Sequence, residues 1–201
     1  MNPVKIIIGF VPLIAFSLLA PWTGPGYAAI SGLACILGLL ILSRTPGRSP
    51  GSLKVLPLAQ AVILAIVAVI GLTAGSTGVG VLLADYGRGL VSLALAVFIL
   101  VTASFMPFTA QFAGGAGAVL AQPRVRRGQP EAEHAWGAAM LSGALGHLAA
   151  GALAASGQGS SLGILVLDWG LPVAGIVLAL RYTRKIADAG ARTQPVAASP
   201  S

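Results

Sequence analysis

The order of apolar and polar positions divides this chain into long apolar runs separated by short breaks rich in Gly, Pro or Arg. A helix needs roughly 20 apolar residues to cross the hydrocarbon of a bilayer. Six runs approach that length: Lys5–Trp22, Tyr27–Ser43, Lys54–Ala74, Gly89–Ala113, Ala135–Ala155 and Ser161–Arg181. None alternates with period two, as the strands of a membrane barrel do. The pattern predicts an all-α fold, a polytopic transmembrane helical bundle of six spans. Residues 1–187 form its single domain, and residues 188–201, with no apolar periodicity, are expected to be a disordered cytoplasmic tail.

Composition agrees, because 56% of the residues are hydrophobic, 8% are charged and the mean hydropathy is +0.91. A soluble domain carries about 25% charged residues, so lipid is the solvent for most of this chain. The net charge of +7 forms no stripe interleaved with exposed aromatics, and a nucleic-acid partner is not expected. The basic residues mark sidedness instead. Of the twelve Lys and Arg, only Arg88 falls in the first, third and fifth connections, while Lys5, Arg44, Arg48, Lys54, Arg124, Arg126, Arg127, Arg181, Arg184, Lys185 and Arg192 fall on the other side. Basic side chains accumulate on the cytoplasmic face. Both termini are therefore expected inside, in the inner membrane of a bacterium. The first span lacks a small-x-small cleavage site within Ser17–Tyr27 and reads as a retained helix, not a secretory signal.

The connections shape two further expectations. Gly114–His134, with its glycines, two prolines and clustered charges, reads as a solvated flexible loop. Residues 75–89, GSTGVGVLLADYGRG, read as an outer connection in which Val79–Tyr86 forms a short interfacial helix separate from span four. Small residues also carry a pattern. Ser142, Gly146 and Ala150 recur every fourth position of helix five and form a face that lets backbones approach closely in lipid. Helix two repeats the spacing at Ala28 and Gly32, and again at Ala34 and Gly38.

Few residues could carry chemistry. Asp168 is the one carboxylate inside a predicted span, and intramembrane ionisable groups are functional candidates because burying them is costly. Pro172, four residues on, lacks the N–H that the Asp168 carbonyl would accept. His147 in helix five lies at a similar depth, and consecutive helices are usually neighbours. His147 and Asp168 are thus a candidate intramembrane polar pair, either a packing clamp or a proton carrier. Asp85 and Arg88 stand at the outer start of helix four, where they form a local ion pair or line an entrance. Gln60, Thr102, Ser104, Thr109 and Gln111 cluster toward the cytoplasmic ends of helices three and four, where hydroxyls are expected to bond back to their own backbone. Pro12 and Pro107 are expected to kink their helices. Cys35 is the single cysteine, so there is no disulfide and no CxxC motif. One His and one Asp make no metal site, no catalytic set is visible, and no cofactor is expected.

Met106–Ala113 reads MPFTAQFA. It resembles the Pro-Phe-Thr-x-Gln-Tyr/Phe-Ala motif of a group of bacterial integral membrane proteins similar to the intracellular septation protein A group. Pro107, Phe108, Thr109, Gln111, Phe112 and Ala113 match, whereas the usual Arg after the alanine is Gly114. The resemblance implies a multi-pass membrane protein and no particular activity. Two functional readings remain open. One is a non-catalytic accessory or scaffold subunit, with the lipid bilayer and other membrane subunits as partners. The other is a small proton-linked transporter or permease using Asp168 and His147.

Overall fold

The structure is a computed structural model that describes residues 3–43, 55–75, 77–104 and 123–191. Among these residues every regular element is a helix. They are α1 (Pro3–Thr23), α2 (Pro25–Ser43), α3 (Val55–Thr73), α4 (Gly78–Thr102), α5 (Pro123–Ser156), α6 (Ser161–Leu165), a π turn (Val166–Gly170) and α7 (Leu171–Ala191). The pieces α6, π turn and α7 run on as one sixth span. Six segments are long and apolar enough to cross a membrane, the last being Ser161–Ile186. The chain is thus a multi-pass membrane protein by the length and composition of its helices.

Three tight connections lie at one end of the bundle, and each uses a glycine at positive φ: Gly24 (φ 79°), Gly75 (φ 46°) and Gly157 (φ 66°). A residue without Cβ reaches that region at no steric cost, which lets the chain reverse within a few residues. Thr77 and Ser160 then cap the following helices, accepting from the N–H groups of Gly80 at 3.4 Å and Gly163 at 3.1 Å.

Contacts concentrate in two sets of three, α1–α2–α3 and α4–α5–sixth span, and α3 against α4 is the main seam between them. At the end opposite the tight connections, Trp136 of α5 is fully buried. It stacks on Phe10 of α1 with ring centroids 5.2 Å apart and donates from Nε1 to the Thr183 hydroxyl of α7 at 3.1 Å. One indole thus ties three helices, its apolar faces buried and its N–H satisfied.

Three expectations change. Span four begins at Gly78, not Gly89, and no separate interfacial helix exists: Val79–Tyr86 belongs to one continuous 25-residue helix. Of the glycines that read as breaks, Gly89 is a helix contact, where an added Cβ would lie 2.6 Å from the Leu148 side chain, whereas Gly78 has nothing within 4 Å. Second, Pro123–His134 is not loop but the first turns of α5. Glu133, expected in solvent, is fully buried on the helical face that also carries Trp136, Gly137 and Met140. Third, helix persists through Ala191, past the point where the tail was expected to start. The MPFTAQFA motif with Thr109 and Gln111, and the tail beyond residue 191, lie outside the described residues.

The small-residue faces divide. Ala28 is fully buried, and a Cβ on Gly32 would meet Leu64 at 2.7 Å and the Pro12 carbonyl at 3.0 Å. Ala34 is exposed and Gly38 has nothing within 4 Å, so that second pair makes no close helix contact.

Candidate functional site

Because α4 starts eleven residues earlier than expected, Arg88 is not a loop charge. It is the eleventh residue of a helix of 25, about 15 Å along the axis from its start. An arginine there needs an acceptor, and it has one: Nη1 donates to Asp168 Oδ2 at 2.5 Å. The other oxygen, Oδ1, lies 2.7 Å from Nδ1 of His147. The carboxylate thus bridges a guanidinium from α4 and an imidazole from α5. His147 and Asp168 are both buried, and the Arg88 side chain keeps 23% of its surface exposed.

The expected local pair between Asp85 and Arg88 does not form. Asp85 is exposed, and the ion pairs among the described residues are Arg88–Asp168 and His147–Asp168. The physical reason lies in where the helix begins. An exposed carboxylate near a helix start is satisfied by water, whereas a guanidinium three residues deeper is drawn to the one acceptor at its own depth.

The sixth span presents Asp168 through a local distortion. Val166–Gly170 is a π turn, in which the Leu171 N–H bonds to the Val166 carbonyl, one residue further back than in an α-helix. In that register the donor to the Leu167 carbonyl would be residue 172, which is proline and has no N–H, so the proline bears on Leu167 where the α spacing had pointed to Asp168. Such bulges are frequent at functional sites. The Leu167 oxygen is packed onto α5, where a Cβ on Gly146 would stand 2.4 Å from it. Gly146 therefore leaves only hydrogens toward that oxygen, a close Cα–H···O approach.

The same face of α5 continues on both sides. Built Cβ atoms on Gly175 and Gly143 would meet Ser142 Oγ at 2.9 Å and Pro172 at 3.4 Å, and Ala150 is buried. On the other flank, Gly151 approaches the Asp85 carbonyl, with an added Cβ 2.5 Å away. Helix α5 is thus gripped between α4 and the sixth span, which pack along it without extended packing against each other. Arg88, His147 and Asp168 join all three of these elements.

Elsewhere, Gln60 is 2% exposed and neither amide atom has a hydrogen-bond partner. Thr102 bonds back to the Phe98 carbonyl at 2.7 Å, as hydroxyls in spans do. Cys35 is free and half-buried. No group of three or more His, Cys, Asp or Glu among the described residues could hold a metal ion.

Sequence reasoning placed Arg88 beside Asp85 at the outer start of helix four, as a local pair or an entrance, and did not join it to Asp168. The available signal was its spacing from Thr77 and Gly78: a capping threonine eleven positions upstream, followed by an apolar run, places the arginine three turns inside a helix. Compared with known families, curated proteins and solved structures, the chain matches none of them.

Proposed function

We propose that this protein is a small proton-linked transporter whose intramembrane Arg88–Asp168–His147 triad is its proton-handling centre. The supporting observation is that Asp168 is shared between an arginine and a histidine inside the spans. Magnitudes favour chemistry over mere cohesion. Placing Arg and Asp at the centre of spans costs about 2.5–3.5 kcal/mol each on insertion scales. Interhelical side-chain bonds in membranes average ~0.6 kcal/mol, and charge-assisted ones return about 1.5–3 kcal/mol each. As a clamp the triad at best breaks even, and apolar packing would serve as well. A histidine bonded to a carboxylate, in contrast, supplies two protonatable groups in contact.

In this reading the basic connections face the cytoplasm of a bacterial cell with both termini inside, and the triad lies in the outer half of the membrane. The test is reconstitution in liposomes that enclose a pH-sensitive dye, challenged with separate pools of organic acids, amino acids, sugars and cations. Wild type should change the internal pH with one pool, and Asp168→Asn should not. Identical traces for the two proteins with every pool would overturn the proposal.

A second reading is the non-catalytic subunit. It is favoured by the sixth span, in which 11% of the apolar window is buried against 28–39% in the other five. A stoichiometric membrane partner retained in mild detergent, together with no Asp168-dependent pH response, would establish it in place of the transporter.

A further inference from the structure

Arg88 is the member of the triad with binding capacity to spare. A guanidinium carries five N–H donors and accepts nothing, yet among the described residues its hydrogen bonding consists of the one from Nη1 to Asp168. Its remaining donors lie on a side chain that is 23% exposed, where α4 meets the sixth span through the Asp168 carboxylate. Planar oxyanions fit such a fork.

We infer that Arg88 is the substrate-binding residue of this site and that its ligand is a small monocarboxylate, taken in place of the Asp168 carboxylate. This rests on the proton-linked reading above and names the substrate class for it. The exchange is balanced in charge. At rest, Arg88⁺ and Asp168⁻ sum to zero. A proton from the short-connection side reaches Asp168, directly or through His147, whose Nδ1–H passes to Oδ1 at 2.7 Å while the imidazole regains a proton from solvent. Asp168 becomes a neutral acid, Arg88 loses its anionic partner, and an incoming carboxylate takes the guanidinium. Arg88⁺, the bound anion and protonated Asp168 again sum to zero. No uncompensated charge is left in the spans in either state, which is what the low dielectric demands. One proton and one monovalent anion thus occupy the site together, and their transfer is electroneutral.

The charged and titratable groups in contact at the site are Arg88 from α4, His147 from α5 and Asp168 from the π turn. On the side toward the short connections lie Tyr86, in contact range of Gly151, and the exposed Asp85. Among the described residues, Asp85 is the one other carboxylate at this end of the bundle. Asp85→Asn therefore serves as a control that should leave binding unchanged within about twofold.

The experiment measures binding of lactate and benzoate, with inorganic phosphate as comparison, to the purified protein in phosphatidylcholine nanodiscs. Wild type should bind the carboxylates at least tenfold more tightly at pH 5.5 than at pH 7.5. Asp168→Asn, which leaves Arg88 without its anion, should bind tightly at both. Arg88→Gln should bind at neither. Carboxylate binding retained by Arg88→Gln, or absent from folded Asp168→Asn, would overturn the inference. So would occupation of Arg88 by phosphatidylglycerol, added to the nanodiscs, with no competition from free carboxylate. If Asp168→Asn does not fold, infrared difference spectra of wild type take its place: adding benzoate must raise a protonated-carboxyl band, and an unchanged band refutes the exchange. Absence of carboxylate binding beside an intact Asp168-dependent pH response with another pool would sink this inference and leave the transporter standing. Loss of both would sink the transporter reading as well.

Discussion

The two three-helix sets of this bundle solve the same packing problem with different materials. In α1–α3, the stretches Ile6–Leu42 and Val55–Ala74 contain no Asp, Glu, Lys, Arg or His. Their closest joint is backbone on backbone: a Cβ on Gly71 would lie 2.6 Å from the Gly26 nitrogen. In α4–sixth span, glycines again allow close approach, but the helices are also bridged by Arg88, His147 and Asp168. The contrast teaches that glycine contacts suffice to assemble helices in lipid. The charged triad is an addition to that scheme, and its presence calls for a separate explanation.

The sharpest way to break the contrast is to strand a charge. Asp168→Leu leaves Arg88 without an acceptor and should cost on the order of 2–3 kcal/mol of stability, the scale of an uncompensated charge in a span. Reversible unfolding in mixed micelles reads this. The double variant Arg88→Leu with Asp168→Leu should regain most of the loss, and a double variant as unstable as the single one would show that the pair is not charge compensation.

Glycine substitutions should hurt both sets alike. Gly71→Ala forces a methyl against the α2 backbone and Gly146→Ala forces one against the Leu167 carbonyl, and each should cost ~1–3 kcal/mol by overpacking. Gly38→Ala, with open space around it, should instead gain roughly 0.5–1 kcal/mol from helix propensity. Thermal shift in one detergent compares the three, and a neutral Gly146→Ala would mean that α5 and the π turn separate easily. Gln60→Leu tests the uncharged set. Removing a buried amide that lacks partners should stabilise by about 1 kcal/mol, and a loss would reveal a polar role for that position. His147→Gln is expected to be the mildest, ~0.6 kcal/mol, because the Arg88–Asp168 bond survives it.

Much of the architecture was legible because the rule that sets it is crude: length and apolarity suffice to mark a span, and six were visible. The pairing of His147 with Asp168 was suggested by matched depth on consecutive helices, since rise per residue converts position into height. What stayed hidden depends on partners far away in sequence. Arg88 reads as a loop residue until it is known that Asp168, 80 positions later, meets it. Gly78, Gly80, Gly87 and Gly89 read as breaks because a glycine in a sequence does not announce whether it ends a helix or lies inside one. The π turn was invisible for the same reason. Pro172 removes one donor, but whether the chain answers with a kink or with an extra residue in the turn is decided by what packs against it, here Gly146.

The distance along the chain between Arg88 and Asp168 has a consequence for how the protein is made. At roughly 5–20 residues per second, the ribosome adds Asp168 about 4–16 s after Arg88, 80 positions earlier. During that interval the arginine has entered, or is waiting to enter, the bilayer with no carboxylate to meet. Span four must therefore insert on its own apolar content. Its Leu, Ile, Val and Phe residues contribute about −0.3 to −0.6 kcal/mol each when central, and Gly78–Thr102 holds thirteen of them, enough to offset one arginine. The length of α4 is thus set by its first seconds alone in the membrane as well as by the folded bundle.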